Sequence, residues 1–520
     1  MKRCLFQRNI FTIRTFHSTN YISKFSHATN LHLYTLNSID WKYFQNLEKL
    51  TIDSLKYKEN IQHCSKLTYL HDNRNMSVDE INKYYNLKYL KCNYVKQIEN
   101  LIYLQSLECS FPETSNIFDF SSLSYLTKLH LRNNYIFRQE LNNVIISSAL
   151  KLKKLRCSNI NFLNQIIHGD ELIYLFLSGT MNLSFSNVKI IEIMHFESLS
   201  NVYIINQTDS YRCLTRLKTD MKNTSVDFSC MISLKFLEIS NYERSCEFNL
   251  SSLTSLQSMK FEYDTLNDIN IINLTNLTYL HFINRMYHAA HHKIKLPRNI
   301  ISFHFQQETK EPELLNINSH TYIWVYKILI QINQMKSLKI FQVNNVIFSK
   351  YKIYPDTFLN TSVTELILYN CKFQYFQHMT NLKTLKLIKM RDMDGIKTSN
   401  MVSLKKLTVK ECDYFYCPEM TCLELLKMKN MEYGVPLNDL KSLTRLILYT
   451  DRLEYNVSIK MLTNLQSLIT NNSFAFIGMC GKTFPSSLKD VHLRIAKEDR
   501  GDLSKITMKD VNIHFIDSRK

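Results

Sequence analysis

Met379-Thr-Asn-Leu382-Lys-Thr-Leu385-Lys-Leu387 holds a polar lead-in followed by the pattern L-x-x-L-x-L. Leu385 and Leu387 alternate with polar residues, the signature of a short strand with one buried face. So short a strand cannot bury that face alone, so the pattern predicts neighbours of the same kind. They are present in both directions: Leu126-Leu129-Leu131 and Leu172-Leu175-Leu177 before it, Leu404-Leu407-Val409, Leu443-Leu446-Leu448 and Leu488-Val491-Leu493 after it. Marking the leading residue of each copy gives a series of 22 from Leu47 to Met508, through Ile190, Leu214, Ile300 and Leu338. Its mean spacing is about 22 residues.

Two further signals keep the same phase. The residue two beyond the strand must turn, and a polar side chain there can satisfy backbone groups; Asn134, Cys371 and Cys412 fill that slot, whereas Met390 and Arg285 do not. Ahead of the strand, apolar residues recur every third position, as in Leu250-x-x-Leu253-x-x-Leu256, Ile271-x-x-Leu274-x-x-Leu277 and Ile459-x-x-Leu462-x-x-Leu465. A period of three suits a 3₁₀ turn or one short helix.

Residues Leu274-Thr-Asn-Leu277-Thr-Tyr-Leu280 and the opening stretch resemble the leucine-rich repeat superfamily, nearest its 22-residue class of phosphatase-regulator and internalin-type proteins. Leu296-Pro297-Arg-Asn-Ile300 and Phe484-Pro485-Ser-Ser-Leu488 are similar to the Leu-Pro-x-Ser-Leu repeats common in amoebae and giant viruses. The resemblance covers about residues 28–515. It implies an α/β repeat solenoid: a curved horseshoe with a parallel sheet on the concave side and 3₁₀ or short-helix segments on the convex side. The expected organisation is a basic arm or transit peptide at 1–27, one arc at 28–307, an irregular interruption at 308–337 and a second arc at 338–520. Within the interruption, Tyr322 to Ile332 reads equally as an amphipathic helix or an irregular strand.

Composition removes other classes. Only 7 of 520 residues are glycine and 7 proline, with no G-x-G-x-x-G and no P-loop, which argues against a nucleotide-binding core. No apolar run approaches the roughly 20 residues of a spanning helix. Thirteen cysteines, scattered and odd in number, point to free thiols in a reducing, intracellular setting with cytoplasm favoured. The stretch before Asp40 has no acidic residue, carries Lys2, Arg3, Arg8, Arg14 and Lys24, and reads alternatively as a mitochondrial presequence.

Function in such a fold is expected on the x positions of the exposed sheet face. Reading them off gives a basic band of Lys386, Lys389, Lys406, Lys410, Lys427, Lys429 and Arg445, and a second band of Lys128, Arg132, Lys154 and Arg156. With strands about 4.8 Å apart the first band is roughly 15–20 Å wide. With 64 basic against 46 acidic residues, this favours an acidic protein partner. Nucleic acid, stacked on Tyr369, Tyr414 and Tyr449, is a weaker reading because no recognition motif accompanies them. The alternative class is an organelle-targeted regulatory or structural factor. No catalytic, cofactor or metal residues are assigned. His288, His291 and His292, with His281 and His304 nearby, lack the Glu of a zincin helix and read as a solvated loop. Cys412, Cys417 and Cys422 lack paired CxxC spacing and read as buried thiols.

Overall fold

The structure is a computed structural model. In its first half it describes residues 10–13, 26–33, 41–52, 64–76, 84–95, 100–110, 118–120, 122–132, 144–145, 151–158, 162–168, 171–178, 181–184, 189–194, 212–220, 228–242 and 250–255. In the second it describes 256–263, 269–284, 294–307, 328–346, 360–371, 379–390, 401–412, 420–431, 437, 439–449, 459–471, 484–495 and 511–517. Two compact units divide the chain, Met1–Ser255 and Leu256–Lys520.

Each unit is a ladder of parallel strands in sequence order. Among the described residues the first holds twelve, from Ile10–Ile13 and Asn30–Leu33 to Phe236–Tyr242, and the second holds twelve, from Ser258–Tyr263 to Asn512–Asp517. The register stacks equivalent slots: Leu366, Leu385, Leu407, Leu426 and Leu446 are successive partners, as are Leu368, Leu387, Val409, Met428 and Leu448. All ten are buried. Three short parallel pairs join return segments: Phe118–Asp119 with Val144–Ile145, Phe162–His168 with Met181–Ser184, and Ile269–Asn270 with Ile294–Lys295.

The repeat begins earlier than the leucine pattern shows. Strands at 10–13 and 30–33 precede the copy at Leu47, with Leu31 and Leu33 buried and Ala28 in the leading slot at 0 % exposure. Part of the expected basic arm is therefore ladder. Two copies sit two residues from where the pattern put them. Ile191 pairs with Leu175, so Ile190 stands on the strand rather than in the leading slot. Ile513 pairs with Val491, so the first inward strand position is Ile513 rather than the Val511 that a slot at Met508 requires.

The three-residue period forms the turn that leads into each strand. Leu253 N–H donates to Leu250 O at 3.0 Å, Leu277 to Leu274 at 3.0 Å and Leu465 to Leu462 at 2.9 Å. The polar pair of the opening stretch has a use there as well. Asn381 Nδ2 donates to Thr361 O of the preceding copy at 2.8 Å, and Asn464 does the same to Lys441 O at 2.8 Å. Just past the leading leucine, the Thr68, Thr127, Thr278 and Thr364 hydroxyls donate to the preceding copy's carbonyls. These side chains tie each lead-in turn to the one before it; the threonine hydroxyls add to carbonyls that already accept two backbone N–H groups, as Glu48 O does from Thr68 and Tyr69.

At the far end of the strand, backbone geometry explains how the chain runs with so few glycines. Asn345, Asn370, Lys389, Glu411 and Asn430 stand at φ of 58°, 49°, 53°, 54° and 50°. In this left-handed region asparagine is tolerated and Lys or Glu is disfavoured by roughly 1 kcal/mol. Each conformation is held by one hydrogen bond onward, such as Lys389 N–H to Lys410 O at 2.7 Å and Glu411 N–H to Lys429 O at 2.8 Å. The next residue then points into the core. Cys371 and Cys412 do this as expected: Cys371 Sγ donates to Val343 O at 3.3 Å, and Cys412 Sγ accepts from Met390 N–H at 3.4 Å. Met390 fills the same slot with packing alone, at 1 % exposure. Asn134 and Arg285 lie outside the described residues.

The excursion between Gln307 and Ile340 leaves the ladder unbroken, since Phe303 pairs with Phe341 and Phe305 with Val343. Residues 328–333 are helical, which resolves the part of Tyr322–Ile332 that the structure describes. Phe261, Phe282, Phe303 and Phe341 pack ring to ring beneath these strands, with centroids 6.3, 6.0 and 6.1 Å apart.

Candidate interaction surface

The residues between the buried slots line the open face of the sheet, and register places them side by side. In the second unit Lys386, Thr408, Lys427 and Ile447 are successive partners; so are Thr384, Lys406, Leu425 and Arg445, and Ile388, Lys410, Lys429 and Tyr449. Six members of the larger band thus share four adjacent strands. Lys389 does not stand on a strand: it occupies the left-handed turn position, with its amine 5.7 Å from the Tyr369 ring centre.

The band is not bare. Lys386 Nζ lies 2.7 Å from Glu365, Lys410 Nζ 3.0 Å and Lys389 Nζ 3.7 Å from the Glu411 carboxylate. A hydrogen bond from Lys410 holds the Glu411 carboxyl below its ordinary value. Lys427 Nζ and the Arg494 guanidinium lie over the Tyr449 ring, at 5.9 and 5.6 Å. Lys406 and Lys429 form no ion pair among the described residues. Tyr414 lies outside the described residues.

The smaller band of the first unit is built around a glutamate that the charge pattern did not single out. Glu108 receives the Arg132 guanidinium, lies 3.2 Å from Lys91 Nζ and 3.5 Å from His130 Nδ1. Burial disfavours its charged form, but the hydrogen bond from Lys91 and the charges of Arg132 and His130 outweigh that and hold its carboxyl below the usual range. Arg132 Nε donates to His130 Nε2 at 3.2 Å, which requires an imidazole neutral at that nitrogen. Burial, then the neighbouring Arg132, pushes His130 down to about 4, with Glu108 opposing. Beside this cluster, exposed Lys128 and Lys154 are direct register partners and form no ion pair among the described residues. Arg156 lies 4.3 Å over the Phe176 ring, and Tyr69 and Tyr89 stack at 4.2 Å with burial raising the Tyr89 phenol.

The His130 arrangement has a pH consequence. Its folded value lies below that of the unfolded chain, so between about pH 6.5 and 4 the unfolded state binds more protons and stability falls with pH. Glu108, also lowered, loses its contribution in acid in the same direction. His130→Gln, which can still face Glu108 and Arg132 without titrating, is expected to be less destabilised than wild type by about 1 kcal/mol on going from pH 7 to 4.5, after discounting for solvent screening. Thermal midpoints at the two pH values check this; equal drops in both proteins contradict it.

Other candidates resolve more simply. His281 and His304 are register partners on the open face, their rings 5.6 Å apart, while His288, His291 and His292 lie outside the described residues. No metal-holding cluster occurs among the described residues. Cys412 is buried as expected, but Cys422 is exposed in a lead-in turn, correcting its reading as a buried thiol; Cys417 lies outside the described residues. Cys92, Cys109 and Cys157 take core slots of the strand, and burial pushes Cys64, Cys109 and Cys371 up to about 12. Among the described residues no helix is long and apolar enough to cross a membrane.

No protein-family model matches the chain, and no curated protein matches it. Among solved structures, a circular leucine-rich repeat protein, CroV588, superposes with a TM-score of 0.52 at 16% identity, over 95% of this chain and 79% of that one. A Leptospira interrogans leucine-rich repeat protein, LIC12759, matches at 16% identity over 96% and 99% with a TM-score of 0.27. An internalin of Listeria monocytogenes, InlF, matches at 14% over 87% and 88% with a TM-score of 0.25. At these identities the likeness speaks to the fold, and the first of the three carries it.

Proposed function

This chain has the fold of a leucine-rich repeat solenoid, and from that premise we propose that it is a non-enzymatic interaction scaffold whose open sheet face binds an acidic protein partner. The observation that supports this most is the placing of like charges in register. Lys128 stands directly beside Lys154, and Lys410 directly beside Lys429. Like charges at paired positions cost stability in the free protein. A carboxylate-bearing partner set between them turns that cost into affinity. Glu108, Glu365 and Glu411 hold neighbouring cations in fixed positions, so less side-chain freedom is lost on docking.

Nucleic acid is disfavoured by the aromatic contacts. Tyr369 carries Lys389 and Tyr449 carries Lys427 and Arg494 over their rings, so a base stacking there competes with these cations.

Charge reversal tests the reading. With Lys406→Glu, Lys410→Glu and Lys427→Glu combined, capture of partners in affinity purification is expected to fall by roughly 100-fold. An unchanged set and yield of captured proteins contradicts it.

A further inference from the structure

A second surface of different chemistry runs along the turns that lead into the strands. Of thirteen large apolar side chains exposed on the described surface, eleven lie in these turns or at the residue just after the leading apolar slot. In the first unit they form a row on neighbouring copies: Tyr85 at 56 % exposure, Ile102 at 45 %, Tyr103 at 47 % and Tyr125 at 54 %. Tyr103 and Tyr125 touch, their ring centres 6.0 Å apart. The strands that follow, at Tyr89, Ser106 and Lys128, are consecutive in the ladder, so the row spans on the order of 10–15 Å.

The same turns are strongly biased in charge. Counting the two residues before and the one after each leading slot, the first unit has seven cations against two carboxylates among the described residues, and the second has seven against one. Lys66, Lys88, Lys151 and Lys153, all exposed, flank the row of Tyr and Ile.

We propose that this lead-in rim of the first unit docks on an anionic lipid bilayer. Tyrosines with exposed aliphatic side chains among lysines match the interface of a membrane: apolar tips enter the headgroup region, phenols remain at its boundary, and lysines face acidic lipid. Ile102 has no use in stacking bases, and the near absence of carboxylates is the charge complement of an anionic surface rather than of a mixed protein one. The rim side chains stand ahead of the strands, whereas the band cations Lys128 and Lys154 stand on them.

The experiment is flotation of the full chain with vesicles of phosphatidylcholine alone and with roughly 30% phosphatidylserine, at physiological salt. Binding to the acidic vesicles alone is expected. Lys88→Glu with Lys151→Glu and Lys153→Glu is expected to weaken it by about 100-fold, and Ile102→Ser with Tyr103→Ser and Tyr125→Ser by about tenfold. These side chains are exposed, and an unchanged melting temperature verifies that each variant folds. The open-face reversal at Lys406, Lys410 and Lys427 is expected to leave flotation intact, which separates this proposal from the partner-binding one. Absence of binding to acidic vesicles, binding untouched by both rim variants, or rim variants that abolish binding to a single-stranded RNA probe while wild type ignores vesicles would each overturn it.

Discussion

Phe282→Ala is expected to destabilise the second unit by about 3–5 kcal/mol, the largest effect of any single truncation considered. Phe282 is fully buried and touches Phe261 on one side and Phe303 on the other, and Phe303 continues the row to Phe341. Removing its ring opens a void in the middle of the row, where neither neighbour can collapse without leaving its own strand. Because a solenoid is stabilised by its own copies and their nearest neighbours, the damage should be local. Hydrogen exchange is therefore the measurement of choice: protection should drop across Ser258–Tyr263, Tyr279–Asn284 and Ser302–Gln307 and hold in Arg445–Tyr449. A loss below about 1 kcal/mol, or one spread evenly over the unit, contradicts this packing.

The second large effect is polar. Asn360, 3 % exposed, donates through Nδ2 to Ile332 O and Met335 O, while its Oδ1 accepts from Ser362 N–H at 2.9 Å and from the Ser362 hydroxyl. One side chain thus closes the end of the helix at 328–333 and fixes the following lead-in turn. Asn360→Ala is expected to cost about 2–4 kcal/mol, because the Ile332 and Met335 carbonyls each lose a donor and the Ser362 N–H loses its acceptor together. Asn360→Asp is expected to cost more, since it replaces both donors with an acceptor facing two carbonyls. Thermal denaturation with exchange over 328–346 checks both; a change within about 0.5 kcal/mol for Asn360→Ala would refute the role.

The buried half of this fold was legible because leucine marks it. Leu382, Leu385 and Leu387 announce a strand and its inward face with no outside information. Legibility ended where the leading residue was not a large aliphatic. Ala28 heads a real copy that no leucine marks, and the strand at 10–13 has no leucine at all. The shifts at Ile190 and Met508 have a different cause. A strand's alternation has period two, so sliding by two residues keeps the same face inward and leaves the pattern equally well satisfied. Only pairing with the preceding strand decides the register.

For the surface, the position of each band cation on a strand could be read from its distance to the flanking leucines, which is why Lys386, Lys406 and Lys427 fell together. Their electrostatic setting could not. Glu365 and Glu411 act on the band from a neighbouring strand and from a turn, and Lys389 sits in a left-handed conformation that no residue type there announces. Glu108 was within reach, since it is the x between Leu107 and Cys109, but a cluster of basic residues does not mark the acid that organises it.

The partner is proposed to meet the open face of the sheet. A photo-reactive phenylalanine analogue at Thr408, between the register partners Lys386 and Lys427, addresses it directly, with the same group at exposed Thr361 in a lead-in turn as comparison. Irradiation should give a covalent protein adduct at Thr408 and none at Thr361; adducts at Thr361 with none at Thr408 would contradict the account.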